Sequence, residues 1–64
     1  MTPLGQVLDD IQRRDWGFDI RFERWAGVYL AGVNGVFESA PTIEEAIRKA
    51  YRSAMERVVE AKAA

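Results

Sequence analysis

The sequence holds no cysteine and no histidine among its 64 residues. Without cysteine, neither a disulfide framework nor a thiolate metal site can stabilise so short a chain, and the absence fits a reducing compartment. Without histidine, the side chain that most often serves as general base and metal ligand near neutral pH is missing. Ser39 and Ser53 therefore have no base to activate them as nucleophiles. Nor is there a basic excess: nine Lys and Arg against ten Asp and Glu give a formal net charge of −1, unlike a sequence-independent nucleic-acid binder. No apolar run approaches the roughly 20 residues needed to span a bilayer, and no signal-peptide pattern is seen. Five glycines occur, but no glycine-rich loop opens a helix, so no phosphate cradle is indicated. The expectation is a cytoplasmic protein that is not an enzyme, holds no metal or cofactor, and contacts neither nucleic acid nor membrane directly. Repeats and low-complexity tracts are absent too. Residues 1–64 read as a single domain, with an Ala-rich tail at 61–64 expected to fray. A domain of this size buries only about 60% of its unfolded surface, so stability is marginal without added burial.

What is present centres on the stretch from Gly17 to Ala40, which reads as three strands and two turns. Asn34-Gly35 between apolar flanks is a strong hairpin signal, because a type I′ turn needs positive φ at both central residues. It sets Val33 opposite Val36, Gly32 opposite Phe37, Ala31 opposite Glu38 and Leu30 opposite Ser39. Ala26-Gly27 is read as the other turn, placing Trp25 opposite Val28, Glu23 opposite Leu30 and Arg21 opposite Gly32. Side chains alternate along a strand. One face then collects Phe18, Ile20, Phe22, Tyr29, Ala31, Val33 and Val36, a core face. The other collects Asp19, Arg21, Glu23, Trp25, Val28, Leu30, Gly32, Phe37 and Ser39, four large apolar groups among charges.

A helix is predicted on either side. From about Pro3 to Arg14, Leu4, Val7, Leu8 and Ile11 form one stripe, with Thr2 as cap and Pro3 in the first position. From Ile43 to about Lys62, Thr42 and Glu45 make a capping box. The inner stripe there is Ile43, Ala46, Ile47, Ala50, Tyr51, Ala54, Met55, Val58 and Val59. Glu44 with Arg48, Glu45 with Lys49, and Arg52 with Glu56 stand four residues apart as charge pairs. The fold expected is a two-layer α+β unit of order αβββα: a three-stranded antiparallel meander with both helices on one face.

The acidic clusters are weak candidates for chemistry. Asp9-Asp10 and Glu44-Glu45 are neighbours pointing different ways on their helices, and early acidic residues suit the helix dipole. Glu56 and Glu60 share a helix face without a third ligand. The element order resembles that of double-stranded RNA-binding domains, which open their second helix with a lysine cluster. Glu44 and Glu45 stand at the matching positions here and would repel phosphate.

The second sheet face carries the functional reading. Trp25, Val28, Leu30 and Phe37 form its apolar centre and Asp19, Arg21 and Glu23 its rim, with Arg21 expected to stack on Phe37. Left uncovered, it is a protein-binding surface. The alternatives are a helix crossing to bury it, or long charged side chains lying over it. The free edges of the first and third strands are a second route to pairing.

The segment Val28-Tyr29-Leu30-Ala31, through Phe37-Glu38-Ser39 into Thr42-Ile43-Glu44-Glu45-Ala46-Ile47, resembles the core of HicB-type antitoxins, an aromatic-rich hairpin leading into a Thr-x-Glu-Glu-Ala helix. The added first helix, the short loop at Asn34-Gly35 and the lack of a DNA-binding segment depart from that pattern. In size, charge balance and element order the whole chain is similar to short phage and mobile-element proteins, including anti-CRISPR and other anti-defence proteins. That resemblance implies a phage-encoded inhibitor of a host defence complex acting in the host cytoplasm by surface occupancy, with a homodimer as one form. A HicB-like antitoxin against a small toxin nuclease is the alternative, and a dimer sequestering a small ligand is the third.

Overall fold

Asn34 and Gly35 have φ values of 53° and 79°, the backbone that a type I′ turn demands. Around this turn the computed structural model, which describes residues 2–63, builds its sheet. The element order is α1 (Leu4–Arg13), β1 (Phe18–Glu23), β2 (Val28–Val33), β3 (Val36–Ala40) and α2 (Ile43–Ala63). The strands form one antiparallel meander in the order β1-β2-β3, and the β2–β3 register follows the tight turn: Val33 with Val36, Gly32 with Phe37, Ala31 with Glu38, Leu30 with Ser39.

The other hairpin differs from the sequence reading. The Glu23 carbonyl accepts from the N–H groups of both Ala26 (3.2 Å) and Gly27 (2.8 Å), closing a four-residue loop over Arg24 to Gly27. A two-residue turn at Ala26-Gly27 would need positive φ at both residues, which the Cβ of Ala26 opposes. The longer loop needs it only at Gly27, whose φ is 67°. The register therefore moves by two: Glu23 pairs with Val28, Arg21 with Leu30 and Asp19 with Gly32. A shift of two preserves the pleat, so each strand residue keeps its face.

α1 starts one residue later than the cap signal implied. Pro3 occupies the N-cap position without a side-chain cap bond, and its carbonyl accepts from Gln6 and Val7. Thr2 does not cap; its carbonyl accepts instead from Arg48 Nη1. The helix ends in a Schellman arrangement: Asp15 donates to the Gln12 carbonyl and Trp16 to the Ile11 carbonyl, with Asp15 at φ 57°. α2 opens with the expected cap, Glu45 N–H donating to Thr42 Oγ1 at 3.2 Å. It extends through Ala63; Ala64, the end of the expected frayed tail, lies outside the described residues.

Val7 and Ile11 of α1 and Ala46, Ile47, Ala50 and Ala54 of α2 join Ala31, Val33, Val36 and Ala40 in one core. The fold is α+β in two layers, with the helices on one side of the sheet. α2 lies along β2 and β3, and α1 leans on α2. Tyr51 Oη donates to Asp10 Oδ2, tying the two helices together. Because α1 leans on α2, the helix side of β1 is only partly covered: Ile20 packs against the core, but its neighbours on that side do not. Phe18 and Phe22, expected in the core, are 45% and 51% exposed. Ile43 and Val59, expected on the inner stripe of α2, are exposed as well. Of the expected charge pairs, Arg48 Nε meets Glu44 Oε2 at 2.9 Å, whereas Lys49 turns to the Ser39 carbonyl at 2.8 Å.

Candidate protein-binding face

The sheet face away from the helices carries Asp19, Arg21 and Glu23 from β1, Val28, Leu30 and Gly32 from β2, and Phe37 and Ser39 from β3, as the two registers and the pleat require. No core residue comes from this face, so the crossed-helix arrangement is not adopted. Val28 and Leu30 are half-buried among their cross-strand neighbours. Phe37 is 54% exposed yet seated: its ring lies over Gly32, where an added Cβ would meet Phe37 Cε1 at 2.5 Å and Cδ1 at 2.9 Å. The glycine opposite thus provides a flat floor for the ring. Gly32 is itself buried.

Trp25 is not part of this row. It sits in the Arg24–Gly27 loop at 89% exposure, so it neither faces Val28 nor completes a sheet-borne cluster of four. Arg21 also departs from expectation. With Leu30 as its neighbour and Phe37 opposite Gly32, the Arg21 guanidinium turns along its own strand to Glu23 Oε1, at 4.0 Å. The cation–π contact lies elsewhere, with Arg14 5.0 Å from the Trp16 ring centroid. At the rim, exposed ion pairs of this kind add little affinity and act mainly on orientation and on-rate. What the face can do chemically is bury aromatic and aliphatic surface beside a flank of both charges along β1.

Two features escaped the sequence reading. Glu38 lies on the helix side of the sheet, where Ser53 Oγ donates to its Oε2 at 2.9 Å; the Ala31–Glu38 pairing already implied that side. The second is a cluster around Asp10, which accepts from Tyr51, from Arg14 Nε at 2.8 Å and from Arg13 Nη2 at 3.4 Å. The bond from Tyr51, reinforced by Arg14, holds the Asp10 carboxyl below its ordinary range. The same bond pushes the Tyr51 hydroxyl up. Both shifts lead away from neutral pH, the reverse of what an acid–base pair needs. The cluster joins the helices. Among the described residues, no three carboxylates converge as metal ligands, and no helix is long and apolar enough to cross a membrane.

No protein-family model, curated protein or solved structure matches this chain.

Proposed function

We propose that this chain is a non-catalytic protein-binding module that works by occupying a surface of its partner, in the manner of a phage-encoded inhibitor of a host defence complex. The observation that carries the binding reading is Phe37, half-exposed on a helix-free sheet face but seated over Gly32, with Leu30 diagonal to it on β2 and Val28 further along the same row. A large apolar group held rigid at the surface loses little entropy on contact, which is what a binding hot spot requires. Fully burying such side chains is worth about 1.5–3 kcal/mol each. Asp19 and Glu23 at the rim suit a partner surface built to hold nucleic acid. Trp25, projecting from the adjoining loop, extends the contact. The anti-defence assignment itself rests on size, charge balance and element order.

The test is affinity capture from host lysates with the wild-type chain and with Leu30→Asp, Phe37→Ser and Trp25→Ala, each first shown by circular dichroism to be folded. Retention of a nucleic-acid-handling defence complex by the wild type, lost in Leu30→Asp and Phe37→Ser, supports the proposal. Capture of a small basic nuclease in its place gives the antitoxin reading. Equal retention by all variants moves the contact off this face.

A further inference from the structure

The sheet has two edges, and they are finished differently. On β3 the outward Ser39 carbonyl accepts from Lys49 Nζ at 2.8 Å, and Pro41 follows the strand directly. A lysine and a proline are standard ways to blunt an edge against further pairing. β1 has neither.

The outward backbone groups of β1 can be named. Asn34 donates its N–H to the Gly17 carbonyl at 2.8 Å, which sets the phase of the β1–β2 ladder. Asp19, Arg21 and Glu23 turn their N–H and C=O groups toward β2, and Phe18, Ile20 and Phe22 turn theirs outward. Among the described residues, no side chain hydrogen-bonds these outward groups. The two aromatic rings on this strand are also its incompletely covered ones, at 45% and 51% exposure.

The strand is antisymmetric about Ile20: Phe18-Asp19-Ile20-Arg21-Phe22. We infer that β1 pairs antiparallel with β1 of a second copy of this chain, about a two-fold axis at Ile20, giving one continuous six-stranded sheet. In that register Ile20 faces Ile20 of the second copy, and outward backbone groups meet outward backbone groups. Phe18 faces Phe22 on the helix side, and Asp19 faces Arg21 on the other. The Phe18–Phe22 and Asp19–Arg21 pairs each occur twice and the Ile20–Ile20 pair lies on the axis, as a two-fold contact requires. Neighbouring registers that also align the backbone groups are worse. An axis at Asp19 sets Asp19 against Asp19. An axis at Arg21 sets Arg21 against Arg21 and Asp19 against Glu23. Like charges directly opposite destabilise a strand pair. An axis at Phe22, though it sets Arg21 against Glu23, leaves Phe18 and Asp19 opposite loop residues. The register centred on Ile20 is the one that pairs the strand along its length with opposite charges. The occupant is a second copy because the complement of this strand is the strand itself.

This self-pairing is independent of the partner reading, and its experiment reads self-association without any partner present. Sedimentation equilibrium is run on the wild type, Asp19→Arg, Arg21→Asp, the double variant Asp19→Arg/Arg21→Asp, and an equimolar mixture of the two single variants. Both altered side chains are exposed, and circular dichroism checks that each chain is folded. The wild type is expected to dimerise. Each single variant sets two like-charged pairs across the seam and should dissociate roughly tenfold to a hundredfold more readily. The double variant restores opposite charges and should regain the dimer. So should the mixture, in which the introduced arginine of one chain meets the introduced aspartate of the other. Amide exchange at Phe18, Ile20 and Phe22 should slow with rising wild-type concentration. A wild type that stays monomeric at millimolar concentration overturns the inference, and so do single variants that dimerise as the wild type does.

Discussion

The Phe37 ring lies across Gly32 on the neighbouring strand, so close that a methyl group at Gly32 would stand 2.5 Å from Cε1. The pair is directly cross-strand, and the missing side chain is what lets the ring lie down. Gly32→Ala is therefore predicted to lift the ring while keeping the fold, since the atoms that clash belong to a side chain that can rotate. Nuclear Overhauser contacts between the Phe37 ring and the Gly32 α-protons should be present in the wild type, with their counterparts lost in the variant, and partner affinity should fall. A variant whose ring stays packed on β2 would show that the glycine is not what seats it.

Asp10 and Tyr51 make stability depend on pH at both ends of the scale. Tyr51 is the larger influence lowering the Asp10 pKa, followed by Arg14. A carboxyl with a depressed folded pKa contributes stability above its unfolded value, about 3.9, and loses it as pH falls through the folded value. Tyr51 is raised, chiefly by the same bond. Its contribution is complete below the unfolded value, about 10, and is lost as pH rises through the folded one. The melting temperature should be flat through neutrality and fall on both sides. Tyr51→Phe should lower the plateau modestly and weaken both declines. Parallel profiles for wild type and variant would mean that the helices are not joined this way in solution.

The sequence signals that proved legible are those with one local cause. Asn34-Gly35 dictates its turn because few residue pairs tolerate two positive φ values, and Thr42 with Glu45 marks a helix start because the cap is built from adjacent residues. The Arg24–Gly27 loop was not legible at that level. One glycine is compatible with several loop lengths, and only the sheet as a whole chooses among them. The pleat has a period of two, so the two-residue error left the faces intact and moved only Arg24 and Trp25 out of the strand. The misplacement of Phe18 and Phe22 is of another kind. Their alternation correctly gives the side of the sheet, but whether a helix covers that end depends on α1 resting against α2, which no strand pattern encodes.

Asp15 ends α1 in the left-handed region at φ 57°, where Schellman geometry usually takes glycine. Asp15→Gly removes the Cβ conflict but increases the freedom of the unfolded chain, so the net gain should be at most about 1 kcal/mol. For a domain of this size that corresponds to roughly 4–8 °C in melting temperature. Asp15→Val should shift it in the opposite direction, since a β-branched side chain fits that conformation worst. Equal melting temperatures for the two variants would show that Asp15 does not hold this conformation in solution.

Ile47 and Val59 share a helix but should differ sharply in tolerance. Ile47 is buried in the core with Ala46 and Ala50, whereas Val59 is exposed. Truncating a buried isoleucine to alanine removes about 2–5 kcal/mol, and total stability for a small domain is of order 0.05–0.15 kcal/mol per residue. For 64 residues the two quantities are comparable. Ile47→Ala should leave a chain near its folding midpoint at room temperature. Ile47→Asp adds an unpaired charge to the vacated site and should unfold it outright. Val59→Asp, on a surface position, should stay within about 0.5 kcal/mol of the wild type. Urea melts of the three variants check the order. A cooperative, native-like transition for Ile47→Asp would mean that this face of α2 does not pack on the sheet, and the two-layer arrangement would fall with it.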